Sequence, residues 1–405
     1  MAPRSSLICS MRCLRLCLLA LVVAALAGPA GAGAHARWTG PIAHAAAIPN
    51  DPGRGTTPFD WQRVQWNFVG PFGVGAPAAW DNAAAAGRPG GKGVVIAVLD
   101  TGIAYANRGR FRRSPDLRAS TFVSGFDFVD HDPYADDPNG HGTHVASTIA
   151  EATNNGIGLT GLAFGARIMP VRVLDSNGEG DAKTIAKGVR FAVHKGARII
   201  NLSLEFGSDA TAGTIPALIK AINYAHSKGV VMVGASGNDS FGAVAYPARA
   251  TYVISVGATT EHGCLADYSN QGRGLDLVAP GGGLDDDLPD DVNCTPTGGQ
   301  GRDIAQVSYR DAARHFGIDT EEGTSMSVPH VSATAALIIA SGAIGGHPSP
   351  TAILHRLEAT ARDLGPVGYD EDYGWGLIDA AAATSPGGPL IPPASSSSGG
   401  AGPGA

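Results

Sequence analysis

Three stretches of the sequence carry side chains that could act on one another. Asp100 closes the apolar run VIAVLD, His141 lies in NGHGTHVASTIA, and Ser325 lies in EEGTSMSVPHVSATAALII. A serine hydroxyl is a poor nucleophile at neutral pH and needs an imidazole within hydrogen-bond reach. The imidazole in turn needs an acceptor that fixes its tautomer and stabilises the imidazolium, a task suited to a carboxylate. The chemistry open to such a set is acyl transfer, which also needs donors for a developing oxyanion. Asn238, in VGASGNDS, offers a side-chain amide, and the Ser325 backbone N–H offers a second donor. Taken alone, Asn238 is a turn residue; its company gives it weight.

Ser325 has two readings, helix cap or nucleophile. The run that follows it reads as a buried helix, and Pro329 near its start is tolerated where the first N–H groups of a helix have no acceptor. The helix is therefore expected to begin near Ser325. That places the hydroxyl at the positive end of the helix dipole, beside the small residues Gly323 and Thr324.

The elements that would position these groups follow from the apolar pattern. GVVIAVLD (93–100), ARIMPVRVL (166–174), ARIINLSL (197–204), GVVMVGAS (229–236), YVISVGA (252–258) and DLVAPG (276–281) read as strands buried on both faces. Amphipathic segments at 182–196 and 214–229 separate several of them. This alternation predicts an α/β fold, a three-layer doubly wound domain with a central, mostly parallel sheet. In such sheets, sites form beyond the carboxyl ends of the strands, where Asp100 sits.

Composition bounds the rest. With 44% hydrophobic and 16% charged residues, the 405-residue chain can bury a large core. A net charge of −7 with no long basic run argues against nucleic acid as a partner. Arg4, Arg12 and Arg15 precede an uncharged run, Leu16 to Ala27, too short to span a bilayer comfortably, and A-x-A sites follow it. Residues 1–34 are read as a signal peptide, so the protein is expected to be secreted, without stable membrane association after cleavage. Cys9, Cys13 and Cys17 would leave with it, and Cys264 and Cys294 would remain. One disulfide is expected between them, with buried free thiols as the alternative. Residues 35–61 read as a linker or short pro-segment, 62–385 as the folded domain, and 386–405, rich in Pro, Gly and Ser, as a flexible tail.

DTGI, HGTHVA, SGN and GTSMSVPHV, in this order, resemble the signatures of subtilisin-like serine proteases, over roughly residues 62 to 385. The resemblance implies a serine endopeptidase of subtilisin-like fold acting on protein or peptide substrates. Asp100, His141 and Ser325 would be its triad and Asn238 its oxyanion donor. Ser203, Leu204 and Glu205, facing Ala235, Ser236 and Gly237, would form the walls of the pocket for the residue before the cut, with Ala245 also lining it and no charge at its base. Gly178, Glu179 and Gly180 would lie on a strand that pairs with substrate backbone. Small, uncharged walls predict a preference for large apolar residues, with some tolerance of Lys or Arg. Glu205 stands where the family usually has glycine, and Glu322 directly precedes GTS.

A calcium site is implied at Gln65, Asp116, Asn155, Ile157 and Leu159, where mixed oxygen ligands suit the ion. The acidic loop 127–137 is better read as solvated. His144 and His330 are expected to be packed residues behind the site, and HGTHV lacks the i, i+4 histidines of the zinc-protease helix. The family's inhibitory propeptide domain has no room between Ala36 and Gln65. A monomer is expected. A silent peptide-binding scaffold and a transpeptidase are the competing readings, which labelling of the serine and product analysis with an added amine would separate.

Overall fold

The computed structural model describes residues 48–390 except 287, 289–290, 292–293, 295–299 and 310–314. The expected signal peptide and most of the C-terminal tail lie outside the described residues. The strands are β1 Val95–Asp100, β2 Thr121–Phe122, β3 Phe126–Asp127, β4 Arg167–Arg172, β5 Ile199–Leu202, β6 Val231–Ala235, β7 Ile254–Thr259, β8 Leu277–Pro280, β9 Ile304–Ser308 and β10 Gly317–Glu321. The helices are α1 Trp61–Val64, α2 Trp66–Val69, α3 Ala76–Ala85, α4 His141–Ala150, α5 Ala182–His194, α6 Pro216–Ser227, α7 Thr324–Ser341, α8 Pro350–Thr360 and α9 Ala380–Thr384.

One eight-stranded sheet runs in the order β2-β4-β1-β5-β6-β7-β8, with β3 also pairing β4. Its paired strands are all parallel. The strands are apolar on both faces because each face is covered. Ile96, Val98, Ile199, Val231 and Val233 enter one core, which α3, α4 and α7 close. Their alternates Ala97, Leu99, Ile200, Leu202 and Met232 enter the other, which α5 and α6 close. Asp181 caps α5 by accepting from the N–H groups of Lys183 and Thr184, and Ile185, Val189 and Ala192 form the buried stripe of that helix. The chain leaves β1 toward β4 on one side and crosses to β5 on the other, so the carboxyl end of β1 lies at a topological switch point.

Pro329 does not sit where the sequence pattern suggests. Helix α7 starts at Thr324, which makes Pro329 its sixth residue, beyond the donors that lack acceptors. The bond that is lost is the one to the Ser325 carbonyl, four residues back. Ser203 Oγ replaces it, donating to Ser325 O at 2.8 Å. The antiparallel pair β9–β10, which leads into α7, was not read from the sequence.

Part of the stretch read as a linker, 35–61, is tied down. Asp51 is fully buried and accepts from Thr153 Oγ1 and from the N–H groups of Asn154 and Asn155. Gly53 N donates to Gly158 O, and Trp61 Nε1 donates to Pro49 O. At the other end, the buried Arg356 donates to the carbonyls of Ala382, Ala383, Ser385 and Pro389, holding the first residues of the tail. In a Ser325→Ala background, which limits self-digestion, Arg356→Leu should lower the unfolding free energy by about 3 kcal/mol. Denaturant titration checks this, and an unchanged midpoint would show that these four bonds contribute nothing net.

Candidate active site

Asp100 ends β1 with no exposed surface. Its Oδ1 accepts from Thr101 N at 2.7 Å and meets His141 Nδ1 at 2.7 Å. His141 opens α4, and the turn that delivers it is organised by the buried Asp137. That carboxylate accepts from the N–H groups of Asn139, Gly140 and Thr143 and from the hydroxyls of Thr101 and Thr143. Gly142 is required by close approach, since a Cβ there would lie 2.2 Å from Gly102 O. The His141 side chain is 26% exposed and borders a cleft. Burial pulls its pKa down, but the charge and hydrogen bond of Asp100, with the charges of Glu321 and Asp137, raise it to about 9.

Ser325, the second residue of α7, borders the same cleft of about 490 Å³, with Leu174, Ile185, Leu204 and Phe206 among its walls. Its hydroxyl donates to Ser203 O at 3.4 Å, and among the described residues no hydrogen bond joins it to His141. Rotation about the Cα–Cβ bond would redirect it. Ser203 thus bonds Ser325 twice, through its own hydroxyl and through its carbonyl.

Asn238 is aimed by a residue that the sequence reading noted only for its size. Thr324 N and Oγ1 donate to Asn238 Oδ1 at 2.8 and 2.9 Å, which fixes the direction of the amide NH2. That group donates to Glu205 Oε1 at 3.1 Å, and Asn238 N donates to Glu205 Oε2 at 3.0 Å. Tyr268 was missed altogether. Its hydroxyl donates to Gly282 O and accepts from Gly323 N, each at 2.9 Å, so it holds the turn before α7. Being a lone tyrosine in a loop, it left no motif to find.

Of the expected pocket walls, Ser203, Leu204 and Glu205 line the cleft. Ala235 and Ser236 are buried, and Ser236 Oγ donates to Asn270 O. Gly237 has φ +118, and a Cβ on it would lie 2.6 Å from Glu205 Oε2. The longer side chain at 205 therefore covers the space over Gly237 that a glycine would leave open. Beyond it, a cavity of about 330 Å³ is bordered by Gly207, Asp239, Ala245 and Arg249. Gly178, Glu179 and Gly180 do line the cleft, but as part of a turn rather than a strand. Asp175 Oδ1 fixes that turn by accepting from the N–H groups of Asn177 and Glu179.

Of the expected cation ligands, Asp116, Asn155 and Leu159 come together. Asp116 accepts from Asn155 Nδ2 at 2.5 Å and from Leu159 N at 2.8 Å. Gln65 is turned to Thr160, whose N–H it accepts and whose carbonyl it bonds, and Ile157 N donates to Asn155 Oδ1. Glu151, not singled out by the sequence, is fully buried beside Asp116, and the two carboxyls share a side-chain hydrogen bond. Burial raises Asp116 to about 7 and pushes Glu151 well up, with the Asp116 charge adding to the latter. Among the described residues, no three His, Cys, Asp or Glu side chains form a metal cluster. His144 and His330 are core residues, bonded to Ile304 O and Met326 O. Cys264 and Cys294 have their sulfurs at 2.05 Å.

Comparison with known proteins agrees with the class that this sheet and cleft suggest. The model of the Subtilase family matches residues 91–376. The chain belongs to that family and is a serine-type endopeptidase. Subtilisin Savinase of Lederbergia lenta is 38% identical over 323 residues, 80% of this chain and 99% of that one. The alkaline protease of Alkalihalobacillus alcalophilus is 38% identical over 323 residues, covering 80% of this chain and 70% of its own. A solved protease structure from Pseudoalteromonas arctica PAMC 21717 superimposes with a TM-score of 0.66 at 31% identity, covering 84% of this chain and 99% of that one.

The raised His141 pKa has a signed consequence. If His141 is the base that takes the Ser325 proton, its protonated form cannot do so, and kcat/KM should rise with pH and reach half its maximum near the His141 value of about 9. In Asp100→Asn the residual activity should titrate at lower pH, because the charge that holds the proton is gone. A wild-type midpoint at the value of an isolated histidine, about 6.5, would contradict the electrostatics described here.

Proposed function

We propose that this endopeptidase is secreted and works through Ser325, His141 and Asp100, with Asn238 as oxyanion donor. The observation that carries the reading is the 2.7 Å contact of Asp100 with His141 in a cleft that Ser325 shares. Ser325 Oγ attacks the peptide carbonyl while His141 takes its proton, and Asp100 holds the imidazolium. Asn238 Nδ2 and the Ser325 N–H bond the oxyanion. His141 then protonates the leaving amine, an acyl ester remains on Ser325, and water, giving up its proton to His141, releases the acid. Secretion is supported by the charge and hydropathy pattern of residues 1–34. No helix among the described residues is long and apolar enough to cross a membrane. Leu174, Ile185, Leu204 and Phe206 along the cleft support acceptance of large apolar side chains.

We also propose calcium at Asp116, with Gln65, Asn155 and backbone oxygens of Ile157 and Leu159. The adjacent buried carboxyls of Asp116 and Glu151 support a hard dication, which would neutralise charge that the fold otherwise suppresses by protonation. The ion would serve stability, not chemistry.

Ser325→Ala and His141→Ala should each cost about five to six orders of magnitude in turnover, the scale of a subtilisin-type triad, and Asp100→Ala somewhat less. Asn238→Leu should cost about two to three orders in kcat with little change in KM. Near-normal turnover by folded Ser325→Ala would sink the mechanism.

Calcium removal has its own signature. Asp116 titrates higher in the folded chain, at about 7, than at its ordinary 3.8, so the folded state binds the extra proton. Stability in chelator should therefore fall as pH rises between these values, and calcium should both raise the thermal midpoint and flatten that fall. Identical midpoints with chelator and with calcium, followed by calorimetry on Ser325→Ala, would count against the site.

A further inference from the structure

Glu205 does more than narrow a pocket. Its two carboxylate oxygens accept from the side-chain and backbone N–H groups of Asn238. Thr324 holds the amide in that direction from behind. The carboxylate rests on Gly237, with the cleft on one side and the Ala245 cavity beyond, and Gly207 borders both spaces. Glu205 makes no ion pair with Lys or Arg among the described residues, and the cleft lining contains Glu179 and Glu205 but neither Lys nor Arg. The exposed Arg249 and the carboxylate of Asp239 border the far cavity and not the cleft. Burial and the Asp239 charge push the Glu205 carboxyl up, while the Asn238 bonds oppose the shift.

We propose that Glu205 is a specificity-determining residue that engages the Asn238 amide in the free enzyme and yields it when a cationic substrate side chain beside the cut pairs with the carboxylate. The proposal rests on the assignment of Asn238 as oxyanion donor. The second hydrogen of the amide does not remove the conflict. An oxyanion bound through it would share one nitrogen with a carboxylate, and like charges so placed destabilise each other. A neutral substrate side chain must displace Glu205 without giving it a new partner. Lysine carries the same apolar stem as norleucine together with a charge that compensates the carboxylate. Glu205 thus favours Lys or Arg over an uncharged side chain of equal length and disfavours an acidic one, whatever the apolar walls add to both.

The test uses peptides that differ only in Lys, norleucine or Glu before the cut, with active enzyme counted by a serine-directed phosphonate. The Lys-to-norleucine ratio of kcat/KM should fall about tenfold in Glu205→Gln, chiefly because kcat on norleucine rises, and the salt dependence of the ratio should disappear. Glu205→Asp should keep a salt-sensitive preference for Lys, and Glu205→Gly should match Glu205→Gln in turnover of norleucine. A ratio unchanged in Glu205→Gln, with sites titrating fully and Asn238→Leu still impaired, overturns the proposal and leaves the triad and oxyanion assignments standing. Full turnover by Asn238→Leu would instead remove the premise.

Discussion

The contact between Asp100 and His141 sets the terms for the rest of the site. A carboxylate with no exposed surface is strongly disfavoured unless it is bonded, and here one oxygen takes both Thr101 N and His141 Nδ1 while the other has no partner among the described residues. Such a group stays in place because its backbone cannot move. It ends a strand paired on both sides, by β4 and β5. The imidazole must then come to the carboxylate. Asp137 bends the chain before α4 with bonds to three backbone N–H groups, and Gly142 lets the first turn of the helix lie against Gly102. The proton affinity of His141 is therefore a property of the sheet and the turn together.

Ser325 is held by a second line of polar contacts. Ser332 Oγ donates to Asn201 Oδ1, Asn201 Nδ2 donates to Ser203 Oγ, and Ser203 Oγ donates to Ser325 O. This chain runs through the interior between β5 and α7 and meets the usual requirement that buried polar groups be bonded. It also gives Pro329 a role. A residue with an N–H at that position would engage the Ser325 carbonyl within the helix and compete with Ser203. Proline leaves that carbonyl to the strand, tying the start of the helix to the end of β5.

Much of this was legible in the sequence, and the exceptions share a cause. Parallel strands buried on both faces show as continuous apolar runs, so β1 and β4 to β8 stand out to within about two residues. Asp100, His141 and Ser325 sit in motifs whose neighbours are small for steric reasons, and these survive reading in one dimension. What escaped was held by hydrogen bonds between segments far apart in the chain. Asp51 on the 153–155 loop, Tyr268 under Gly323 and Thr324 behind Asn238 have no periodicity and no local partner. The register of Pro329 failed similarly, because the helix start is set by Gly323 and its neighbours rather than by the proline. Glu205 was visible as a departure from the family pattern, but what its carboxylate binds is a fact of three dimensions.

The electrostatics of the cleft reconcile two demands that conflict. Asp100, Asp137 and Glu321 raise the proton affinity of His141, which helps an imidazolium form, yet the same negative charges disfavour an oxyanion nearby. Donors must therefore be aimed and fixed before reaction, since flexible ones would turn toward the carboxylates that surround them. Thr324 supplies that fixation for Asn238, and Glu205 shows where the amide points, because an anion already rests on it in the free protein. With Asn238 as the proposed oxyanion donor, the carboxylate oxygens stand in for the charge that the reaction would generate. An acidic residue close to the nucleophile is then compatible with acyl transfer only if it can give up its donor at the moment of attack. Its burial and its lack of a cationic partner are what make that exchange feasible, because a carboxylate locked to a neighbouring Arg or Lys would have no reason to answer to the substrate.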